Sequence, residues 1–369
     1  MSRPCLAAIT LNATGGGVAS VSRLLSRVLE DRWPGAVRLV TLLDERAATR
    51  SLESSIAIRL RFGAQMAMTQ ASRQCDWIMY SHLSVAKVQA FVPPLLRRPY
   101  AVFIHGIEAW RHLTPAQESV LRGAALRVAN SVFTAGRVAA LHPGIGSVAS
   151  CPLALPPETC AVSDASFELP FDLGPRAVIV VARMSATERY KGHDELLDAW
   201  PRVLTHAPDA RLVFVGGGDD RARLHNRARS LGVAGSVLFT GFVSERDLIA
   251  FYRKAAVFAM PSRGEGFGLV YLEAMAHSLP CIGALDDAAG EIIEDGRTGF
   301  LIQQSDCEGL SDRLVRLLTD DSLRRAMGGA GHHAVQHRFS YERFSRRMLS
   351  LIESTVAMPA PAWGRGAAL

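Results

Sequence analysis

The stretch 152-PLALPPETCAVSDASFELPFDLGP-175 carries five prolines and no apolar period, and the chain repeats one alternation on either side of it. Proline fixes φ and removes a backbone donor, so such a run reads as a linker. Before it, the short apolar runs 5-CLAAITLN-12, 37-VRLVTLL-43, 77-WIMY-80, 100-YAVFIH-105 and 147-SVASC-151 have the pattern of strands buried on both faces. After it the series restarts with 177-AVIVVAR-183, 211-RLVFVGG-217, 237-VLFTGF-242, 256-AVFAMP-261 and 281-CIGAL-285. Helical spacing fills the gaps. In 18-VASVSRLLSRVLEDR-32, Val18, Val21, Leu24, Leu25, Val28 and Leu29 share a face, and helices are expected at 193–205, 219–231, 244–254 and 267–278. This predicts an α/β chain of two Rossmann-like, doubly wound domains facing each other across a cleft. The expected boundaries are 1–165 and 166–340. Residues 341–369 should then form an amphipathic helix, 341-YERFSRRMLSLIEST-355, crossing back to the first domain and followed by a mobile tail.

A chain of 369 residues suits two domains. No run of about 18 uncharged apolar residues suggests a membrane span, and the N-terminus reads as a first strand rather than a signal peptide. Six cysteines without a C-x-x-C pair suggest neither zinc nor a disulfide framework, and fit a reducing, cytoplasmic setting. Charge is uneven. Residues 1–150 hold 17 Lys and Arg against 8 Asp and Glu; the remainder holds 24 against 27. A basic first half fits nucleic acid, an anionic membrane surface or a phosphorylated substrate. Arginine supplies 38 of the 41 basic residues, so part of this charge is ordinary solvated surface.

Ligands of open α/β sheets bind beyond the carboxyl ends of the strands, so the loops there are the places to look. The loop 262-SRGEGFGLV-270 follows an apolar strand and opens a helix. Its glycines admit a ligand to the backbone, and the amides of Gly266, Phe267, Gly268, Leu269 and Val270 are suited to phosphate. Glu265 and Glu273 flank those amides at a separation of about 10–12 Å, the scale of a sugar nucleotide. A carboxylate at each end accepts from vicinal hydroxyls. A glycine turn with two surface glutamates fits the same letters. In the first half, 14-TGGGVAS-20 offers Gly16 and Gly17 after the first strand; it is not G-x-G-x-x-G, which argues against a dinucleotide dehydrogenase. His105, in 104-IHGIEAW-110, ends a strand, with Glu108 nearby, and His82 ends another. Arg59 and Arg61 lie in the amphipathic stretch 56-IAIRLRFGAQMAM-68, where they are candidate contacts to a membrane surface, with a plain solvated helix as the alternative. His332 and His333 lack metal-ligand spacing and read as surface residues.

The string 265-EGFGLVYLEAMA-276, followed by 290-GEIIEDGRTGFLI-302 and preceded by 181-VARMSATERYKGHDELLDAW-200 and 213-VFVGGGDDRARL-224, resembles the retaining glycosyltransferases of family four (glycosyl transferases group 1). The resemblance covers residues 176–302 in order and implies the GT-B fold. It implies that Arg183 and Lys191 neutralise a donor diphosphate, that Glu265 meets the hydroxyls of the transferred sugar and that Glu273 meets those of the ribose. Gly266, Phe267 and Gly268 would line the sugar through their backbone, and Leu269 and Val270 the phosphate. Gly216 falls near the base pocket, Gly16 and Gly17 in the N-terminal glycine loop, and His105 beside the reacting sugar. The family's N-G-V/I-D segment near the linker is missing; 151-CPLALPPE-158 stands there, which leaves the details of domain closure open.

The reading is a metal-independent, retaining hexosyltransferase. It would use GDP-mannose or a UDP-hexose, with no cofactor beyond that donor, and a sugar or lipid-linked acceptor, in bacterial cell-surface polysaccharide or glycolipid synthesis. The protein would be cytoplasmic, at the inner face of the plasma membrane if the basic half meets anionic lipid, and no nucleic-acid partner is expected. Neither a D-x-D pair nor another metal site stands out, so cations and helix amides would carry the diphosphate. A non-catalytic nucleotide-sugar binder, or a GT-B epimerase or phosphorylase, is the alternative.

Overall fold

The computed structural model describes residues 2–12, 16–43, 54–156, 169 and 172–355. Thr14 and Gly15, residues 157–168 of the expected linker and the expected tail 356–369 lie outside the described residues. Two compact units result. The first comprises Met1–Asn130, Ala135–Cys151 and Ser345–Leu369; the second comprises Ser131–Thr134 and Pro152–Phe344.

The first unit is built on β1 (Pro4–Ala8), β2 (Arg38–Thr41), β3 (Trp77–Tyr80), β4 (Tyr100–Ile104), β5 (Leu126–Ala129) and β6 (Ala149–Ser150). They form one sheet in the order β2-β1-β3-β4-β5-β6, and every pairing is parallel. β1, β3 and β4 are buried along their whole length, which is why they read as unbroken apolar runs. One face of the sheet packs Cys5, Ile78, Val102 and Ile104 against Phe62 and Met66 of the helix Ser54–Ala71. The chain reverses its winding between β1 and β3, the switch point where such sheets open a crevice.

The second unit contains β7 (Ala177–Val181), β8 (Arg211–Val215), β9 (Val237–Gly241), β10 (Val257–Ala259), β11 (Cys281–Ala284) and β12 (Gly299–Ile302), in the order β12-β11-β10-β7-β8-β9. All pairings are again parallel. Here the switch point lies between β7 and β10.

The expected helices appear as His193–His206, Arg221–Ser230, Glu245–Lys254 and Leu269–Ala276. The expected strands are present, 77–80 at its full length and the others shorter, and two further strands appear, β5 and β12. β5 is only LRVA, and its Arg127 leaves the sheet to bond the carbonyls of Leu121 at 2.7 Å and Ala124 at 2.6 Å. A charged residue in a four-residue run hides the strand signal. His332 corrects the reading of a surface residue: it is half-buried, and its Nδ1 lies 2.8 Å from the carbonyl oxygen of Ala276. Among the described residues no helix is long and apolar enough to cross a membrane.

Candidate active site

In the second unit the site is assembled where β7 and β10 end. The chain leaves β7 through Arg183, makes a 3-10 turn at Ala186–Lys191 and starts the helix His193–His206 at Gly192. Gly192 has φ +88°, and a Cβ there would stand 2.8 Å from the ring of Pro261, at the end of β10. Only glycine lets these loops approach so closely. The Arg263 N–H then donates to the Tyr190 carbonyl at 2.7 Å, joining the two loops.

That joint brings together Lys191 and Glu265, 74 residues apart in the chain. The Lys191 Nζ lies 2.5 Å from Glu265 Oε2. Their side chains are 17% and 16% exposed, so the pair is largely shielded from water. Burial opposes the lysine's charge, but the attraction of Glu265 outweighs it and holds the ammonium above the usual lysine range.

Asp287 supports the pair from below. It is 4% exposed and accepts the Glu265 N–H at 3.2 Å through Oδ2 and the Ala289 N–H at 2.8 Å through Oδ1. The Ala288 N–H returns to the Glu265 carbonyl at 3.3 Å, so both main-chain groups of Glu265 are held. Burial pushes the Asp287 carboxyl up to about 7, against the pull of those two N–H groups. The sequence reading missed Asp287. Its signal was an acid in a strand-end turn, two residues before a helical amide it can accept from.

The other expected residues divide. Arg183 pairs with Glu188 and stays largely exposed. Gly266 lends its carbonyl to Ser131 Oγ at 2.7 Å and Thr134 Oγ1 at 3.0 Å, both of which cluster with this unit. Phe267 is buried edge-to-face on Phe339, so only its backbone is available to a ligand. Gly268 is the N-cap of the helix Leu269–Ala276 and supplies no side-chain cap, so the first-turn amides of Leu269 and Val270 are not covered from that side. Glu273 accepts the Tyr252 hydroxyl at 2.8 Å, a partner the sequence did not suggest. Gly216 and Gly218 fold back on the β7 loop: added Cβ atoms would stand 2.2 Å from the Ala182 oxygen and 1.9 Å from the Met184 oxygen. The structure thus gives Gly216 a packing reason in addition to the expected place near a base.

The first unit has its own cluster at the ends of β3 and β4. The His105 Nε2 lies 2.7 Å from the Ser81 carbonyl oxygen, to which it can only donate. Glu108 Oε1 accepts the His105 backbone N–H at 2.6 Å, and Asn130 Nδ2 donates to the His105 carbonyl at 2.7 Å. The His82 ring centre lies 5.1 Å from that of His105. His82 Nδ1 accepts the Ser84 N–H at 3.0 Å, and burial together with His105 drives its pKa down to about 4, against the pull of Glu108. Gly16 and Gly17 begin the helix Gly16–Arg32 after β1, and a Cβ on either would meet nothing within 4 Å among the described residues. Among the described residues no group of three or more His, Cys, Asp and Glu is arranged to hold a metal ion.

Comparison with known proteins bears on this geometry directly. Residues 163–333, which carry the Lys191, Glu265 and Glu273 loops, match the family described as glycosyl transferases group 1. Residues 163–333 belong to that family.

Curated proteins are similar to part of this chain. A GDP-mannose-dependent monoacylated alpha-(1-6)-phosphatidylinositol monomannoside mannosyltransferase of Corynebacterium glutamicum is 36% identical over 182 residues, 47% of either chain. The chain therefore spans about half the length of that relative. Among solved structures, sucrose-phosphate synthase from Thermosynechococcus elongatus superposes with a TM-score of 0.80 at 19% identity, over 95% of this chain and 98% of its own. Anabaena Alr3699/HepE, crystallised with UDP and glucose, gives 0.74 at 18% identity, over 96% of this chain and 100% of its own. At such identities the likeness shows the fold, which is GT-B.

Proposed function

We propose that this protein moves a hexose from a nucleotide-diphosphate sugar to an acceptor hydroxyl, with retention at the anomeric carbon and without an obligatory metal ion. The observation that carries this reading is the shielded Lys191–Glu265 pair beside the first amides of the helix Leu269–Ala276. A donor offers a partner to each member: phosphate oxygens for the ammonium, sugar hydroxyls for the carboxylate. The glycosyl transferases group 1 match over this stretch and the GDP-mannose dependence of the Corynebacterium relative support the same assignment.

In the proposed reaction the bond between the anomeric carbon and the phosphate oxygen breaks, and its electron pair stays on that oxygen. Lys191, Arg183 and the amides of Leu269 and Val270 stabilise the charge that grows there. The acceptor oxygen attacks from the side the phosphate leaves, and its proton passes to the departing phosphate. Glu265 and Glu273 bind hydroxyls and are not nucleophiles, unlike the paired carboxylates of glycoside hydrolysis. His105, fixed by Ser81, Glu108 and Asn130, presents Nδ1 as an acceptor for a sugar hydroxyl. The named acceptor of the Corynebacterium relative is a phosphatidylinositol glycolipid, which supports a lipid-linked or phosphate-bearing acceptor for the basic first unit.

A thermal-shift screen of GDP-mannose and UDP-hexoses, followed by an acceptor-dependent turnover assay with the best binder, tests the reading. Binding raises the melting temperature by mass action, and Lys191→Ala should remove most of that rise. No shift with any nucleotide sugar, or full turnover by the Lys191→Ala protein, would overturn it.

A further inference from the structure

The helix Ser54–Ala71 is apolar on two sides. Its inner side, with Phe62 and Met66, packs into the core. Its outer side carries Ile56, Leu60, Ala64 and Met68 at spacings of four residues, a single ridge. Ile56 is 69% exposed and Leu60 68%. Beside the helix packs the turn Pro94–Leu96, whose Leu95 is 98% exposed. The turn is anchored there: the Arg98 N–H donates to the buried Gln70 Oε1 at 3.1 Å, in the last turn of the helix. Six of the thirteen large apolar side chains exposed among the described residues lie between Ile56 and Leu96. Isolated exposed leucines are ordinary, but a ridge with an adjoining turn marks a contact surface.

Charge selects the occupant. Residues 54–100 contain six basic side chains and one acid, Asp76. Asp76 is itself bonded to Arg3 at 3.1 Å. Arg59, Arg61 and Arg97 are exposed on the helix and turn that carry the apolar side chains. In a twofold dimer the same patch meets itself, which would set these arginines against their own copies. A bilayer with anionic headgroups takes both features at once. Leucine and isoleucine enter the acyl boundary, and arginine keeps its guanidinium at the phosphates.

We propose that the outer ridge of Ser54–Ala71 and the turn Pro94–Leu96 form a docking surface for an anionic lipid bilayer. The inference deepens the reading of a lipid-linked acceptor and rests on it for its purpose, while its test does not depend on transfer. Full-length protein is floated with vesicles of phosphatidylcholine alone and of phosphatidylcholine with phosphatidylglycerol. It should float with the anionic vesicles, poorly with the neutral ones, and less as salt is raised. Leu60→Glu with Leu95→Glu should cut the bound fraction about tenfold, and so should Arg59→Glu with Arg61→Glu. Nucleotide-sugar thermal shifts of these variants should match the parent protein, which shows that they fold and separates the two readings. Absence of flotation by the parent protein, or undiminished flotation of the Leu60→Glu, Leu95→Glu variant, overturns the proposal. So does a solution dimer that the same variant dissociates, or selective binding to an acidic protein in place of vesicles. If flotation holds while no nucleotide sugar binds, the transferase reading falls and the lipid surface stands.

Discussion

Beyond β7 the second unit holds a lysine and a glutamate charged against each other; beyond β3 the first unit holds His82 uncharged. Both solve one problem, a polar group kept largely from water, by different means. Pairing keeps full charges ready for a partner that replaces either member. Neutralisation leaves a histidine that donates and accepts without competing for anions. The glycines differ in parallel. Gly218 is pressed onto the Met184 carbonyl, whereas Gly17 meets no crowding neighbour among the described residues. Glycine-rich strand ends in one chain thus arise for unlike reasons, and the letters do not separate them.

The sharpest break of this comparison is Gly218→Ala. A Cβ 1.9 Å from a backbone oxygen, at φ +154°, has no room. The expected result is a loss of about 4 kcal/mol or more, or no folded protein, in thermal unfolding followed by circular dichroism. Next comes the ion pair. Lys191→Ala leaves Glu265 shielded and unpaired, and should cost about 3 kcal/mol in urea unfolding. The double variant Lys191→Ala, Glu265→Ala should recover part of that loss. Strict additivity, within about 0.5 kcal/mol, would show that the two charges are not coupled.

Smaller effects follow from protonation. Asp287 has its pKa raised to about 7, far above the usual aspartate value of 3.8. Between about pH 4 and 7 the folded state keeps a proton that the unfolded chain releases, so this group makes stability fall as pH rises through that window. Asp287→Asn should flatten that slope, and cost about 1–2 kcal/mol at low pH because asparagine has one fewer acceptor for the two N–H groups. His82 has the opposite sign. Its folded value, about 4, lies below the usual 6.5, so its contribution is complete above pH 6.5 and is lost on acidification toward 4. His82→Asn, which keeps a cap for the Ser84 amide, should reduce the acid-side loss by about 1 kcal/mol. Stability curves that retain their slope in both variants would contradict these assignments. The smallest effect belongs to Gly17→Ala, expected within about 1 kcal/mol of the parent because no described residue crowds it. A fall in nucleotide-sugar affinity there would then report on a ligand and not on folding.

Much of the architecture was legible because buried parallel strands write themselves as short apolar runs; WIMY at 77–80 and AVIVV at 177–181 are examples. β5 was not, since its single arginine turns to the carbonyls of Leu121 and Ala124 at the end of a helix. At the site, the loop 262–270 was legible from its glycines and acids. The relation between Lys191 and Glu265 was not, because a bond across 74 residues depends on the close approach at Gly192 and Pro261. Asp287 and Tyr252 were hidden for a related reason. An acid beneath a loop, or a phenol against Glu273, acquires its role only from burial, which single-residue identity does not encode.

The carboxyl beneath Glu265 has a thermodynamic consequence for ligand capture. Near neutrality Asp287 is divided between its two forms, and Lys191 is one of the charges that favours the ionised one. A diphosphate arriving at Lys191 brings new negative charge to the same neighbourhood and tips Asp287 toward its acid form. Occupancy of the site should therefore draw protons from solution. In titration calorimetry at pH 7, the apparent binding enthalpy should vary with the ionisation enthalpy of the buffer, with the sign of uptake, and Asp287→Asn should abolish that variation.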